Sequence, residues 1–581
     1  MNHEKVGIEM VWQESVKVWE SKLPADSDLS AELVTLKENE KNLAEAFSSP
    51  LSFGTAGMRG VMGPGINRMN VYTVRQATAG LATLIVGRGE AAKQRGVVIS
   101  YDSRHHSREF ALESAKVLVA QGIKAYVFSS LRPTPELSFA VRELKTEAGI
   151  MITASHNPPM YNGYKCYGAD GGQLPPEAAD IVTEAARKVD LFDVPVVEDA
   201  TLAESSLFRF IDDEIDSAYL DKLKTVTVNK DVIKEHHDIK IVYTPLHGTG
   251  QYLMEKVFAN AGFTGVHYVA SQKDPDGDFT TVKSPNPEDA PAFVEAEKVG
   301  TEVNADVLIA TDPDADRMGV AIRKPDGAYQ LLTGNQIGAI LLDYLLRAKK
   351  EQHDLPANGA VVKSVVSSEL ATAVAESYGV EMFNVLTGFK FIAEKIHQFE
   401  TEHDHEFLFG YEESYGFLIK PFVRDKDALQ ASLLLAEVAA GQKAKGKTLA
   451  DALDNLYDRF GVHLEKTIAK TFPGSEGLVK MKELMASFHE APLTEINGVE
   501  VESVSDILHS VSIEKSGKTT PLSLPKSDVL KYHLANGDWV ALRPSGTEPK
   551  MKLYIGVTAD TKEKATEKLQ AYEASLSELF N

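Results

Sequence analysis

Residues 149–158 read GIMITASHNP, and this stretch suggests both the fold and the chemistry of the chain. The apolar run at 149–152 predicts a buried strand, and Pro158 prevents that strand from continuing. Ser155 therefore lies where a strand gives way to a loop, a position that can direct a hydroxyl group into a cleft. A serine held there is a candidate nucleophile or carrier of a phosphoryl group, although most Ser-His neighbours are ordinary loop residues. Three other segments, far apart in the chain, support the functional interpretation.

Composition indicates a globular protein of about four domains. The chain has 581 residues, of which 43% are hydrophobic and 25% are charged. Its 84 acidic and 61 basic residues give a formal net charge of −23, which disfavours a nucleic-acid or anionic-membrane binder. An anionic substrate would therefore need a locally basic cleft.

Three further features predict a soluble, cytoplasmic protein. The only cysteine is Cys166, which excludes an internal disulfide framework and is expected to be buried and structural. No run approaches 18 apolar residues, so no membrane span is expected. The opening residues, MNHEK, lack the basic start and apolar core of a signal peptide.

The pattern along the chain predicts three α/β units followed by one α+β unit. From about Arg95, short apolar runs alternate with helical stretches, which is typical of a parallel sheet with crossover helices. After about residue 458 the runs resemble antiparallel strands followed by a closing helix. The predicted domains are 1–205, 206–324, 325–457 and 458–581.

The second informative segment is TDPDADR at residues 311–317. It places the carboxylates of Asp312, Asp314 and Asp316 directly after a buried apolar strand, and such clustered hard oxygen ligands suit Mg²⁺. An EF-hand is excluded, because the sixth position of that loop would be Arg317 rather than glycine. The alternative is an acidic, solvated loop.

Two later segments carry sugar- and phosphate-binding chemistry. RPSGTEPK at 543–550 combines hydroxyls, a glycine amide and cations in a short loop, which suits a phosphate cradle, with a simple hairpin turn as the alternative. GYEESYG at 410–416 offers carboxylates and a hydroxyl for sugar hydroxyl groups, with a capping or turn role as the alternative. Arg59, Lys165 and Lys390 follow or lie within flexible turns and are either site cations or surface ion pairs.

One motif match is rejected on its context. GQKAKGKT at 441–448 satisfies the P-loop pattern, but a P-loop follows a strand, whereas residues 429–440 have helical spacing. Gly441 is instead predicted to cap the end of that helix. Thr448 and Asp451 are predicted to form the capping box of the next helix.

The four segments, in this order, resemble those of the α-D-phosphohexomutase superfamily, the phosphoglucomutases and phosphomannomutases. The matching segments run from about Gly54 to Lys550. The resemblance implies four domains around a central cleft, with one loop from each. The motif PLHGTG at 245–250 and Tyr411 before the sugar-loop carboxylates resemble the bacterial phosphoglucomutase and phosphopentomutase subgroup.

The resemblance also implies a role for each matched residue. The implied catalytic residues are Arg59, Ser155, His156, Lys165 and Lys390. The implied substrate-binding residues are Arg317, Glu412, Ser414, Arg543, Ser545, Gly546 and Thr547. The implied ligands of Mg²⁺ are Ser155, Asp312, Asp314 and Asp316. The sequence does not choose the general acid and base among His156, Lys165 and Lys390.

The expected activity is the interconversion of glucose 1-phosphate and glucose 6-phosphate, through a phosphoserine and glucose 1,6-bisphosphate, which also serves as activator. A phosphomannomutase or phosphopentomutase is the alternative within the superfamily, because pocket shape decides between such sugars. A phosphatase-like hydrolase and a sugar-phosphate sensor without turnover are alternatives of other classes. No nucleic-acid or membrane partner is expected, and the oligomeric state stays open, a monomer included.

Overall fold

The computed structural model describes residues 2–51, 57–472, 474–544 and 550–578. Helices and strands alternate as far as about residue 460, after which antiparallel strands predominate. The strands are β1 (Met58–Val61), β2 (Val97–Tyr101), β3 (Ala125–Phe128), β4 (Ala148–Ile152), β5 (Tyr161–Gly168), β6 (Phe208–Ile211), β7 (Ile241–Thr244), β8 (Val266–Tyr268), β9 (Val307–Thr311), β10 (Met318–Arg323), β11 (Tyr329–Leu331), β12 (Gly359–Ser364), β13 (Glu381–Val385), β14 (Glu406–Glu412), β15 (Gly416–Leu418), β16 (Val462–Thr471), β17 (Glu495–Ile496), β18 (Val499–Asp506), β19 (Val511–Glu514), β20 (Thr519–Pro521), β21 (Leu530–Leu534), β22 (Trp539–Pro544) and β23 (Lys550–Ala559).

The helices are α1 (Asn2–Lys22), α2 (Asp28–Leu36), α3 (Glu40–Phe47), α4 (Val71–Gly87), α5 (Glu90–Arg95), α6 (Ser107–Ala120), α7 (Thr134–Glu143), α8 (Pro176–Arg187), α9 (Asp199–Glu204), α10 (Asp213–Leu223), α11 (Lys230–Glu235), α12 (Gly250–Ala261), α13 (Ala270–Lys273), α14 (Val294–Val303), α15 (Gly334–Glu351), α16 (Glu369–Ser377), α17 (Phe389–Glu402), α18 (Ala428–Lys443), α19 (Leu449–Phe460), α20 (Gly474–Glu490) and α21 (Lys562–Glu578). A short 3₁₀ turn, Ala290–Phe293, precedes α14.

The chain divides into two compact units. The first contains Met1–Leu331 and Gly416–Ala444, and the second contains Leu332–Tyr415 and Lys445–Asn581. The three-plus-one plan of α/β and α+β domains is confirmed, whereas the four predicted domain boundaries stay predictions.

The first unit holds two mixed sheets. One has the order β1-β5-β4-β2-β3-β6, and the other has the order β11-β10-β9-β7-β8. Strands β2, β4 and β9 are buried at every residue, as expected for central strands covered on both faces. β4 and β9 each lead directly into a motif loop, so the two central strands position the serine and the aspartates.

The second unit also holds two sheets. β12 pairs in parallel with β13 on one side and β14 on the other, with helices supplying the crossovers. The second sheet has the order β16-β23-β22-β21-β18-β19-β20, and its register is antiparallel throughout the described pairs. This is the sheet that the sequence pattern predicts for the closing α+β domain.

A helix does precede the P-loop match, as predicted, but the prediction that Gly441 caps the end of this helix is wrong. α18 continues through Gly441 to Lys443, and the glycine with left-handed backbone is Gly446, at φ 66°. α18 is buried on all sides from Ala428 to Gln442, so packing maintains the helix across a residue with low helix propensity. Thr448 and Asp451 do form the predicted capping box of α19.

Two further expectations concern burial and hydropathy. Cys166 is buried and free, and burial raises the pKa of its thiol to about 12. Among the described residues, none of the helices combines the length and hydropathy needed to span a lipid bilayer.

Candidate active site

The serine loop is held in an uncommon backbone conformation. Ser155 has φ 52° and is 2% exposed, and its backbone N–H donates to Thr153 Oγ1 over 2.8 Å. Thr153 in turn donates its hydroxyl to Asp102 Oδ2 over 2.6 Å. A non-glycine residue in this left-handed region is strained unless its surroundings hold it, and such strain is concentrated at functional sites.

Arg104 supplies the rest of the support for this loop. Its guanidinium donates to the carbonyl oxygens of Ser155 and Asn157, both over 2.5 Å, and to that of Pro158 over 2.9 Å. The guanidinium is buried and pairs with Asp102 through Nε, 3.2 Å from Oδ2. Five planar donors suit Arg104 to hold several carbonyls at once.

The aspartate loop lies between β9 and β10. Asp312 Oδ1 accepts the backbone N–H groups of Asp316, at 3.1 Å, and Arg317, at 3.0 Å, which closes the loop on itself. Asp312 Oδ2 accepts the Ser155 hydroxyl over 2.6 Å. The predicted nucleophile and the predicted metal ligands therefore meet, although 157 residues separate them in sequence.

Two lysines and a threonine surround the three carboxylates. Lys165 Nζ lies 2.9 Å from Asp314 Oδ2 and 3.4 Å from Asp316 Oδ2. Lys426 Nζ lies 3.1 Å from the same Asp316 oxygen, and Thr134 donates its hydroxyl to Asp314 Oδ2 over 2.7 Å. All of these side chains are buried, so their charges are weakly screened.

The carboxylates fit a divalent cation. One oxygen from each of Asp312, Asp314 and Asp316 lies within 4.8 Å of the others, and Oδ1 of Asp314 and Oδ1 of Asp316 are buried without a hydrogen-bond partner among the residues that the structure describes. Unpartnered buried carboxylate oxygens are costly, and hard oxygen ligands are those that Mg²⁺ takes. These residues therefore match the donor set of a magnesium site.

The charges within the cluster are unequal. Burial and the neighbouring Asp314 and Asp316 raise the pKa of Asp312 well above its usual range. Burial alone would also raise the pKa of Asp314, but Lys165 reverses the effect and holds it well below the usual range. A cation among the three carboxylates would remove the repulsion that raises the pKa of Asp312.

His156, Arg59 and Arg317 complete this part of the site. His156 Nδ1 lies 3.3 Å from Ser155 Oγ, and burial together with Arg317 and Arg59 lowers the pKa of the imidazole well below 6.5. Arg59 donates to Asn157 Oδ1 over 2.7 Å, and Arg317 pairs with Glu288. His156 is thus neutral near neutral pH, whereas the arginines supply positive charge.

Burial alone would lower the pKa of Lys165, but Asp314 and Asp316 more than offset it and raise the value. This raised pKa favours the charged ammonium form of Lys165 beside the two carboxylates.

The PLHGTG motif supports the aspartate loop. A Cβ on Gly248 would lie 2.3 Å from Pro313 Cα, so only glycine allows the two backbones to approach this closely. Thr249 also donates its N–H to the Pro313 carbonyl over 2.8 Å.

Residues 410–415 of the sugar-loop segment lie in the second unit and are anchored from several sides. Ser364 donates to Glu413 Oε2 over 2.7 Å, and the Tyr415 hydroxyl donates to the Leu332 carbonyl over 3.0 Å. Glu412 Oε1 accepts the N–H of Gly388 over 2.6 Å, at the start of α17. Glu413 therefore anchors the loop from within, and Ser414 beside it is half-buried.

Lys390 and Arg543 belong to the same unit as Glu412. Lys390 lies in the first turn of α17, two residues after Gly388, and its ammonium lies 5.3 Å from the Phe391 ring centroid. Arg543 lies near the end of β22. Burial and the charges of Glu413 and Glu412 raise the pKa of the Tyr554 hydroxyl, and the Arg543 guanidinium opposes that rise. The predicted phosphate ligands Ser545, Gly546 and Thr547 lie outside the described residues.

Sequence reasoning missed the residues that hold the loops. Asp102 and Arg104 follow β2 and could have been noticed as charges just after a buried strand. Lys426 lies in the run RDKD at 424–427, which resembles a solvated charge run but is buried just before α18. The signal there is its position beside a predominantly apolar helix, where buried charges need partners. Thr134 and Ser364 carried no such signal.

Comparison with family models covers most of the chain. Residues 50–192, 217–327 and 333–460 match the models for phosphoglucomutase/phosphomannomutase alpha/beta/alpha domains I, II and III. Residues 479–574 match the model for the phosphoglucomutase/phosphomannomutase C-terminal domain. The four matches follow one another in chain order.

Relatives of similar length are also found. A phosphoglucomutase of Staphylococcus aureus is 40% identical over 533 residues, which is 91% of this chain and 93% of that protein. A phosphoglucomutase of Staphylococcus epidermidis is 39% identical over 520 residues, which is 89% of this chain and 92% of that protein.

Solved structures share the fold at lower identity. The phosphoglucomutase parafusin from Paramecium has a TM-score of 0.67 at 17% identity and covers 91% of this chain and 96% of its own. A putative phosphomannomutase from Thermus thermophilus has a TM-score of 0.66 at 24% identity and covers 92% of this chain and 99% of its own. With all four domain models matched in order and relatives at about 40% identity over most of both chains, this chain belongs to the phosphoglucomutase/phosphomannomutase family.

Proposed function

We propose that the chain is a phosphoglucomutase, an isomerase that interconverts glucose 1-phosphate and glucose 6-phosphate. The observation that carries the proposal is the 2.6 Å hydrogen bond from the Ser155 hydroxyl to Asp312, which belongs to a buried triad of aspartates. The relatives named phosphoglucomutase support glucose as the sugar. Phosphomannomutase and phosphopentomutase activities are the alternatives.

The proposed reaction moves one phosphoryl group between Ser155 and the sugar. The P–O bond from phosphorus to Ser155 Oγ breaks while a sugar hydroxyl forms a new P–O bond, giving glucose 1,6-bisphosphate. The bound bisphosphate then reorients so that its other phosphate faces Ser155, and this phosphate transfers its phosphoryl group back to the serine. Added glucose 1,6-bisphosphate would act as activator, because it phosphorylates any Ser155 that has lost its phosphoryl group.

The triad and its cations stabilise charge during transfer. Asp312, Asp314 and Asp316, with a phosphoserine oxygen, would hold Mg²⁺, which withdraws electron density from the phosphoryl group. Lys165 remains an ammonium through its contacts with Asp314 and Asp316. Arg59 and Arg317 add positive charge at the same loop, which offsets the strongly acidic balance of the whole chain.

His156 is the group we propose to take and return the serine proton. Its Nδ1 lies 3.3 Å from Ser155 Oγ, and its lowered pKa keeps the imidazole neutral and able to accept a proton. Lys390 is the candidate for the proton of the sugar hydroxyl. The roles proposed for the second unit are sugar hydroxyl binding by Glu412 and Ser414 and phosphate binding by Arg543, Ser545, Gly546 and Thr547.

The cytoplasm is the proposed compartment, since a single cysteine makes the fold independent of disulfides. The proposed partners are small sugar phosphates.

Phosphorus NMR of the purified protein with Mg²⁺, a trace of glucose 1,6-bisphosphate and glucose 1-phosphate tests the proposal. We expect glucose 6-phosphate to form, and to form faster than the corresponding products from mannose 1-phosphate and ribose 1-phosphate. Release of inorganic phosphate alone would instead indicate a hydrolase, because a mutase must exclude water from the phosphoserine. Faster turnover of another sugar would replace the glucose assignment and leave the phosphoserine mechanism in place.

A further inference from the structure

A cluster of two histidines and an aspartate in the second unit lies outside the residues used above. His489 is on α20, Asp506 ends β18, and His509 is in the turn that leads to β19. Asp506 Oδ2 lies 3.0 Å from His489 Nδ1 and 2.8 Å from His509 Nδ1. Three elements of the closing domain thus converge on one carboxylate oxygen, with a ring nitrogen on each side of it.

The two ring nitrogens of His489 differ in their contacts. The side chain is 5% exposed, and its Nε2 lies 2.9 Å from Asp528 Oδ1, a hydrogen bond that places the ring proton on Nε2. Nδ1 is buried, and among the described residues it has no hydrogen-bond partner, although Asp506 is close. In the neutral tautomer the Nδ1 lone pair faces the Asp506 carboxylate oxygen at 3.0 Å, and this repulsion is removed either by a proton on Nδ1 or by a metal cation between the two atoms.

We propose that His489 Nδ1, Asp506 Oδ2 and His509 Nδ1 bind a zinc ion, with water as the fourth ligand. Two imidazoles and one carboxylate form a donor set that zinc takes, and hydrogen bonding of the second ring nitrogen to a carboxylate, as Asp528 provides here, is usual for a metal-binding histidine. The three candidate ligand atoms lie within 4.8 Å of one another.

The geometry requires only a small adjustment. Zinc–ligand bonds of about 2.0–2.1 Å in tetrahedral geometry place neighbouring ligand atoms about 3.3 Å apart. The observed separations from Asp506 Oδ2, 2.8 Å to His509 Nδ1 and 3.0 Å to His489 Nδ1, are a few tenths of an ångström shorter. Rotation of the His509 ring, which is 58% exposed, would lengthen the 2.8 Å separation. That exposure also gives the ion and its water ligand access from solvent. The bound ion would link α20 to the β18–β19 turn.

Zinc content after equilibrium dialysis tests the proposal on the full-length protein. The buffer contains excess Mg²⁺, which saturates the aspartate triad but does not compete well for imidazole, and is held near pH 8, where protons compete least with the metal. We expect one zinc ion per chain, a visible absorption band on replacement by Co²⁺, and a higher melting temperature with zinc. His509→Gln should abolish all three, whereas His397→Gln, an exposed histidine on α17, should abolish none.

A second variant separates metal binding from folding. Asp528→Asn keeps the shape of its side chain and should weaken zinc binding by about 10- to 100-fold, because it perturbs the partner of the His489 ring. Equal zinc content in wild type, H509Q and H397Q would overturn the proposal. So would the absence of stoichiometric zinc in the wild type, which would assign the cluster to a protonated His489 held between two carboxylates.

Discussion

Lys165→Met tests whether buried charge balance, rather than packing alone, maintains the serine and aspartate loops. Lys165 is 4% exposed and contacts Asp314 and Asp316 at 2.9 and 3.4 Å. Methionine preserves most of the apolar stem but removes the ammonium. Removing one partner of a buried ion pair typically costs about 3–5 kcal/mol, because an uncompensated charge is left behind. The carboxylates left behind here are Asp314 and Asp316, whose Oδ1 atoms have no hydrogen-bond partner in the described part of the chain.

The expected loss of thermal stability in K165M is large in the absence of divalent metal and smaller in its presence. At roughly 2 °C per kcal/mol for a unit of this size, K165M should melt about 6–10 °C below the wild type in EDTA. Mg²⁺ should raise the melting temperature of K165M more than that of the wild type, since the ion replaces part of the missing charge.

Calorimetry of both proteins with EDTA and with Mg²⁺ measures these shifts, and activity with glucose 1-phosphate is followed in parallel. Lys222→Met, at an exposed position on α10, is the matched control and should change the melting temperature by no more than about 1 °C. If K165M and the wild type have the same melting temperature in EDTA, or if Mg²⁺ raises both melting temperatures equally, the ion-pair reasoning is wrong.

Three further substitutions test other parts of the account. Gly248→Ala places a Cβ 2.3 Å from Pro313 Cα and should raise the Mg²⁺ concentration that gives half-maximal activity, whereas Gly87→Ala, with nothing within 4 Å, should not; equal requirements would contradict the close approach. Ser364→Ala removes the 2.7 Å hydrogen bond to Glu413, worth about 1.5–3 kcal/mol for a charged group, and should raise KM for glucose 1-phosphate about tenfold or more; an unchanged KM would show that Glu413 does not position the loop. Burial raises the pKa of Glu465 to about 7, so its unfolded form loses a proton at lower pH than the folded form. Stability should therefore fall as pH rises from about 4.5 to 7, and Glu465→Gln should be less sensitive to pH in denaturant titrations over that window; identical pH profiles would contradict this.

Sequence reasoning succeeded where the chemistry follows directly on a strand. Ser155 and Asp312 were both predicted from an apolar run that ends in polar residues, and the structure places each after a fully buried strand and joins them by a hydrogen bond. Binding sites in α/β sheets lie beyond the carboxyl ends of the parallel strands, so the local pattern predicts each loop. Because β4 and β9 belong to different sheets, the pattern does not predict that the two loops meet.

The supporting residues were less predictable because their roles depend on tertiary contacts. Arg104 holds three loop carbonyls, and Lys426 pairs with Asp316 across 110 residues of sequence, yet either could have been an ordinary surface cation. Gly441 was wrongly predicted to end its helix, because a local capping rule gave no weight to the packing that buries α18 on every side. Local propensity is a weak guide where burial is complete.

Transfer of a phosphoryl group to Ser155 is the central claim, and intact-protein mass spectrometry tests it most directly. The dephosphorylated protein is incubated with glucose 1,6-bisphosphate and Mg²⁺, then digested to locate any added phosphoryl group. The account predicts one phosphoryl group on Ser155, its loss on addition of excess glucose 6-phosphate, and none on Ser155→Ala, which should fold normally but lack mutase activity. Mutase activity in S155A, or stable phosphorylation at another residue, would contradict the account.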